Sequence, residues 1–262
     1  KHSKFESRLY NLGNWILNNP KKIVFSYLVI IGFLIWGVSQ ITVDTNPKKT
    51  IGTKVPYVKN LFELAQTELG SLYSYEVMIE LPEPGMAKEP EVLHKLESLE
   101  AKALESDMAK KSNSILDVIK DMNQVLNEDN PEYYKIPESR DLVAQLLLLY
   151  ENAGGTESEY WVDYDYKYLR LSVHLNDMQV KQMTADFNEV SQYASELFPE
   201  SEINIVGSIP QFIKMIGYIT HGQIVSFGIA MLVIAILMML VFGSVKTGLI
   251  ALIPNLTPAL VI

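Results

Sequence analysis

The chain has 262 residues, enough for one or two domains, and 48% of them are hydrophobic. Its formal net charge is −9, and the excess acid is concentrated in residues 44–221, which hold 30 acidic and 16 basic residues. That balance argues against nucleic acids and anionic lipid surfaces as partners of this segment. The absence of cysteine excludes disulfide bonds and leaves the compartment open.

Residues 1–20 are predicted to form an amphipathic lead-in on the cytoplasmic membrane surface. Phe5, Leu9, Leu12 and Ile16 recur at helical spacing and share one face of a helix. The alternative is a plain helical lead-in to the hydrophobic run that follows.

Two uncharged runs are long enough to cross a bilayer as helices. Residues 23–43 are 21 in number and residues 222–245 are 24, each with 13 Leu, Ile, Val or Phe. Such helices would span about 32 and 36 Å, against a hydrocarbon core of about 30 Å. We therefore predict transmembrane helices at 21–43 and 222–245. A cleaved signal peptide is the alternative for the first, but the run is too long and no small-residue cleavage site follows it.

Basic residues set the predicted orientation of these helices. Five Lys or Arg residues precede the first run against one acid, and Lys246 follows the second. Both flanks are therefore predicted to be cytoplasmic and residues 44–221 extracytoplasmic.

Residues 246–262 are predicted as the start of a third membrane helix. Because residues 247–262 would span only about 24 Å, we expect the native chain to continue, with a re-entrant or interfacial tail as the alternative.

Residues 44–221 alternate between helical and strand periodicity, which predicts an α+β domain. The predicted strands are 72–81, 114–117, 168–176 and 203–207. Helical patterns lie between the first and second strands and between the third and fourth, and a helical insertion separates the second from the third. This order predicts a ferredoxin-like βαββαβ unit, one sheet with helices on one face, between two transmembrane helices.

The sequence carries no recognisable catalytic motif. It lacks a phosphate-binding loop, and its four histidines show no metal-ligand spacing. Asp163 and Asp165 alternate with tyrosines, which predicts a solvated strand with aromatic packing and not a catalytic acid pair. We therefore predict no enzyme activity, no catalytic residue, no metal ligand and no cofactor. His174 is predicted to be solvated on the polar face of a strand.

Gly222, Ser226 and Ala230 form a stripe of small residues on the second predicted span. They recur every four residues and therefore lie on one helical face. Small residues let another helix approach closely, so the stripe predicts helix packing. Residues 23–43 and 222–245 contain no charged residue, so no proton relay is visible in this chain.

Five segments occur in an order that is similar to a known family. They are NLGNWILNNPKKIVFSYLVI, ITVDTNPKKTIG, SILDVIKDMNQVLNED, DYKYLRLSVHLND and VFGSVKTGLIALIPNLTPALVI. Together they resemble the resistance-nodulation-division (RND) superfamily of exporters, in particular its lipid-exporting MMPL-like and Patched-like branch. The resemblance implies two similar halves, each with six membrane helices and one periplasmic porter domain. This chain would be an N-terminal piece of the first half.

The resemblance also implies a location and a set of partners. It implies a multi-pass protein of the bacterial inner membrane that works with later membrane helices, a second porter domain and a hydrophobic or lipid substrate. A homo-oligomer or a periplasmic partner is compatible with it. The proton-relay residues of such exporters lie on later helices, so none is assigned to this chain.

Three functions are compatible with these features. The leading hypothesis is part of an exporter of hydrophobic or lipidic molecules that is driven by the proton gradient. A membrane receptor with an extracytoplasmic ligand-binding domain is the first alternative, but it should place a polar signalling helix after the second span, where this chain has an apolar run. The second alternative is a non-transporting membrane scaffold of exporter-like fold, favoured if the complete protein had no ionisable residue in any span.

Overall fold

The computed structural model describes residues 4–40, 52, 54–68, 70–177 and 179–261. The chain divides into two compact units. The helical unit is Lys1–Val43 with Ile219–Ile262, and the α/β unit is Asp44–Tyr218. In chain order the elements are α1 (Lys4–Asn18), α2 (Pro20–Ser39), α3 (Pro56–Gln66), β1 (Tyr73–Glu80), α4 (Pro90–Ala103), β2 (Ala109–Asn113), α5 (Ile115–Leu126), α6 (Arg140–Asn152), β3 (Tyr168–Leu175), α7 (Val180–Leu197), β4 (Glu202–Val206), α8 (Ser208–Phe242) and α9 (Val245–Val261).

In the described part of the chain, two helices are long and apolar enough, by length and composition, to cross a membrane. They are α2, over Pro20–Gly37, and the 35-residue helix α8. Most of their large apolar side chains are exposed in the structure, as expected of surfaces suited to lipid. The Tyr27 hydroxyl donates a hydrogen bond to the Ile253 carbonyl at 2.9 Å, which places α9 against α2 inside the helical unit.

A tight turn joins α8 to α9. Gly243 has a φ of +61°, the left-handed conformation that commonly ends a helix. The Ser244 hydroxyl accepts from the Thr247 amide at 3.4 Å at the start of α9. A Cβ atom added to Gly248 would lie 2.7 Å from the amide nitrogen and 2.8 Å from the Cα of Met239. The two helices are therefore in backbone contact at Gly248, where no side chain fits.

The α/β unit contains a four-stranded sheet of order β2-β3-β1-β4, in which every neighbouring pair is antiparallel. Strand β1 alternates buried and half-buried residues from Tyr75 onwards, because one face of the sheet meets the core. In β3 the apolar residues Leu169, Leu171, Val173 and Leu175 are buried on that face, and Ser172 is buried as well. Val77 lies opposite Leu171, and both are fully buried. The same core takes in the apolar faces of α4, α5, α6 and α7.

The second strand lies earlier in the chain than the sequence pattern indicates. The prediction of a strand at 114–117 is wrong, because these residues begin α5. The Ser114 hydroxyl accepts from the Leu116 amide, and the Asp117 carboxylate accepts from the Ser114 amide, each at 3.1 Å. This capping box stabilises a helix start. The true strand, Ala109–Asn113, has no alternating apolar residues to reveal it.

A β-bulge in β2 redirects one lysine. Ala109 pairs with Leu175 and Lys111 with His174, so Lys110 is an extra residue in the ladder. Its ammonium donates to the carbonyls of Ala65 at 2.9 Å, Gly70 at 2.6 Å and Thr67. Lys110 therefore caps the carboxyl end of α3 and ties that helix to the sheet edge.

Candidate functional site

A cleft of about 940 Å³ opens in the α/β unit. One wall is α6, a second is the turn that precedes α4, and the third is the loop that precedes β3. Helix α6 is fixed by Val143, Leu146 and Leu147, which are buried in the core. Its exposed face therefore turns towards the cleft, where Leu148 and Glu151 line the wall.

The loop before β3 is shaped by one carboxylate. Asp163 accepts hydrogen bonds from the backbone amides of Lys167 and Tyr168, each at 2.7 Å. A side chain that binds backbone amides in this way competes with strand pairing. The prediction of a solvated strand around Asp163 is therefore wrong. Residues Glu157–Tyr160 form a 3₁₀ turn. Between that turn and β3, the described residues make one isolated β-bridge, from Val162 to Leu169.

Tyr166 lines the cleft. Its φ of +54° is left-handed, a conformation that residues other than glycine rarely adopt. The Lys88 ammonium lies 3.5 Å from the centroid of its ring, and its hydroxyl donates to the Glu151 carboxylate at 2.5 Å. Tyr166 thus links the turn before α4 to the end of α6 through a cation–π contact and a charge-assisted hydrogen bond.

Burial and neighbouring charges adjust the proton affinities of this group. Burial, followed by the hydrogen bond to Glu151, raises the pKa of Tyr166 above its ordinary value. Burial lowers the pKa of Lys88; the Glu151 carboxylate opposes that shift and the Arg140 guanidinium adds to it. The phenol therefore keeps its proton and acts as a donor at physiological pH.

The cleft carries an excess of acid. Among the side chains that the structure describes, four carboxylates line it against the one ammonium of Lys88; they belong to Glu151, Glu159, Asp163 and Asp165. Apolar surface lies beside them. Tyr164 is 97% exposed and Leu148 is 57% exposed. The arrangement combines negative charge, an exposed aromatic ring and aliphatic surface.

Ser158 adds a polar group at the base of the cleft. It lines the cleft and is only 1% exposed. Its hydroxyl has no hydrogen-bond partner among the residues that the structure describes. A buried hydroxyl without a partner costs about 1–3 kcal/mol. A ligand or a water molecule that reached it would remove that penalty.

The stripe predicted from sequence lies elsewhere. Gly222, Ser226 and Ala230 are all exposed on α8, and a Cβ atom at Gly222 would meet no atom of the described residues within 4 Å. Their packing against another helix stays a prediction.

His174 is not solvated as the sequence predicts. It is half-buried, its Nδ1 lies 3.0 Å from the Ser71 hydroxyl, and burial lowers its pKa.

Sequence reasoning missed the residues that form the cleft. Lys88, Glu151, Ser158 and Tyr166 come from three separate segments and form no motif. The sequence signal nearest to the cleft is the cluster of acids and aromatics after the Gly154–Gly155 break, whose alternation predicts a strand. Across the described part of the chain, no group of three His, Cys, Asp or Glu residues is placed to hold a metal ion.

Comparison with known proteins gives no family for this sequence: no protein-family model matches it, and no curated protein matches it. The features that bear on function are the two long apolar helices, the α/β unit that lies between them in chain order, and the acidic cleft.

Proposed function

We propose that this chain is part of an RND-type secondary transporter, similar to the MMPL-like branch, that exports hydrophobic or lipidic substrates with the energy of the proton gradient. The observation that carries the proposal is the placement of an α/β unit between two helices that are long and apolar enough to cross a membrane. A single membrane anchor would need only one of these helices.

The sheet supports a ferredoxin-like porter domain. Strands β1 and β2 are joined through α4, and β3 and β4 through α7, while the spatial order is β4-β1-β3-β2 with antiparallel neighbours. This is the order of a split βαββαβ unit. In our proposal α5 and α6 are an insertion into that unit.

The membrane topology follows from the same elements. We propose transmembrane helices at 21–43 and 222–245, a third starting at 246–262, and an extracytoplasmic domain at 44–221 in a bacterial inner membrane. The contact of α9 with α2 supports a third membrane helix in the same bundle. The porter domain would take substrate from the outer leaflet, and its movement would be coupled to that of the membrane helices.

Transport in vesicles tests the proposal. The native polypeptide that carries residues 1–262 is reconstituted into liposomes with a fluorescent phosphatidylethanolamine, and extraction of the lipid into an acceptor is followed with and without an imposed pH gradient. The proposal predicts faster extraction with the gradient and its loss when a protonophore is added. If the protonophore did not change the rate of extraction, proton coupling would be overturned. If the rate were the same as in protein-free liposomes, export itself would be overturned.

A receptor is the second candidate, and the cleft favours it because its volume falls within the usual range of small-molecule binding sites. The turn at Gly243 leads directly into the apolar helix α9, where a receptor would need a polar signalling segment. Lipid extraction that depends on the pH gradient separates the two functions.

A further inference from the structure

We infer that the cleft lined by Tyr164, Tyr166 and the acidic residues binds the head group of a cationic amphiphile, an ammonium ion attached to an alkyl chain. The inference deepens the proposed function by naming the chemistry of a substrate, and it rests on that function for the direction of movement. Binding itself is measured separately from transport.

The first argument is the distribution of unused charge. Asp163 is occupied by two backbone amides, and Glu151 accepts from Tyr166. Glu159 and Asp165 have no ion-pair partner among the described residues, and both line the cleft. Two unpaired carboxylates attract a cation and repel a head group of net negative charge, such as a sulfate monoester.

The second argument is the aromatic surface. The face of a tyrosine ring attracts ammonium ions. The cleft already contains one such cation–π contact, because the Lys88 ammonium lies over the ring of Tyr166. The ring of Tyr164 is 97% exposed and offers a similar face without such an occupant in the described chain. A ligand ammonium between this ring and the carboxylates would be held as Lys88 is held by Tyr166.

The third argument is the room for an alkyl chain and for polar contact below it. A volume of about 940 Å³ is at the upper end of the range for sites that bind small molecules. Leu148, Ala144 and Val162 supply aliphatic wall. The buried hydroxyl of Ser158, which lacks a described partner, can accept a hydrogen bond from a primary ammonium.

Binding of short-chain probes tests the inference. The full chain in nanodiscs of zwitterionic lipid is titrated calorimetrically with hexyltrimethylammonium, hexylamine, hexyl glucoside and hexyl sulfate, all below their micellar concentrations. We expect both ammonium probes to bind and hexyl sulfate not to bind. Binding of hexyl glucoside as tight as the ammonium probes would overturn the inference, because neutral hydroxyls would then account for the site.

Two double variants locate the binding site. Glu159→Gln with Asp165→Asn should weaken ammonium binding about tenfold, since two attractive charges are lost. Glu196→Gln with Glu200→Gln removes the same charge from exposed positions on and just after α7 and should leave binding unchanged. Equal weakening by both pairs would overturn the site. If the protein extracts lipid but binds no ammonium probe, this inference is overturned and the proposed function stands. If it binds the ammonium probes but extracts no lipid, the proposed function is overturned and the binding site stands.

Discussion

The ammonium nitrogen of Lys110 lies 2.6 Å from the carbonyl oxygen of Gly70. The same nitrogen is 2.9 Å from the Ala65 carbonyl. Lys110 reaches both because it is the extra residue of the bulge in β2. The bulge in β2 thus stabilises α3, since a cation at the carboxyl end of a helix satisfies its free carbonyls.

Replacing this lysine should loosen α3. Lys110→Met removes hydrogen bonds from a charged donor and should destabilise the docked helix by about 2 kcal/mol. Faster amide hydrogen exchange in α3 is the measurement. Lys111→Met is the matched control, because Lys111 occupies a regular ladder position opposite His174. Equal exchange in the two variants would show that the cap contributes nothing.

Glu100 should make stability depend on pH. Burial raises its pKa above the ordinary value of 4.5, the carboxylates of Asp117 and Glu97 add to the shift, and Ser114 and Lys120 oppose it. Since the folded-state pKa is the higher one, its stabilising contribution is complete below the unfolded pKa and is lost as pH rises through the folded pKa.

Glu100→Gln tests that sign. The difference in unfolding temperature, variant minus wild type, should increase between pH 4 and pH 7, because only the wild type must ionise a buried group. Glu83→Gln, at an exposed position after β1, should show no such trend. A difference that is constant with pH would refute the assignment.

The hydrogen bond from Tyr166 to Glu151 should make a measurable contribution to the free energy of unfolding. Tyr166→Phe keeps the ring under Lys88 and removes the hydroxyl, so it should lower the free energy of unfolding by about 1 kcal/mol. Adding Glu151→Gln should cost less in this background than in the wild type. Tyr164→Phe, at a 97% exposed ring, is the control for loss of a hydroxyl alone.

Gly248 should tolerate no side chain. Gly248→Ala places a methyl group against the backbone of Met239 and should destabilise the α8–α9 hairpin by about 1–3 kcal/mol. Gly228→Ala adds the same methyl to α8 where nothing lies within 4 Å, so it should be neutral or slightly stabilising. Thermal unfolding of the detergent-extracted native protein compares them. Indistinguishable unfolding temperatures would contradict backbone contact in the hairpin.

The small-residue stripe predicts a helix partner outside the described chain. Ala230→Leu should lower the unfolding temperature of the native protein in its membrane extract, because the larger side chain separates packed helices. Gly228→Leu makes a similar change on the opposite face of α8 and should have a smaller effect. If the Gly228 variant is the more damaging one, the packing face has been assigned to the wrong side.

The sequence predicted the parts of this fold that have strong periodicity. Helix α8 and strand β3 follow from long apolar or alternating runs, which local physics determines. Strand β2 was missed because it pairs through its backbone and carries part-exposed side chains. The cleft was missed because Tyr166 takes its conformation from tertiary contacts with Lys88 and Glu151, and these contacts leave no spacing in the chain.

The strand order also determines when the sheet can form during synthesis. Strand β1 leaves the ribosome early, but both of its neighbours, β3 and β4, come after the whole insertion of α5 and α6. Until then its backbone amides and carbonyls have no ladder partner, and such open edges favour aggregation. The nascent domain should therefore need protection until Val206 has been synthesised, and a ribosome pause before β4 should harm folding more than a pause after it.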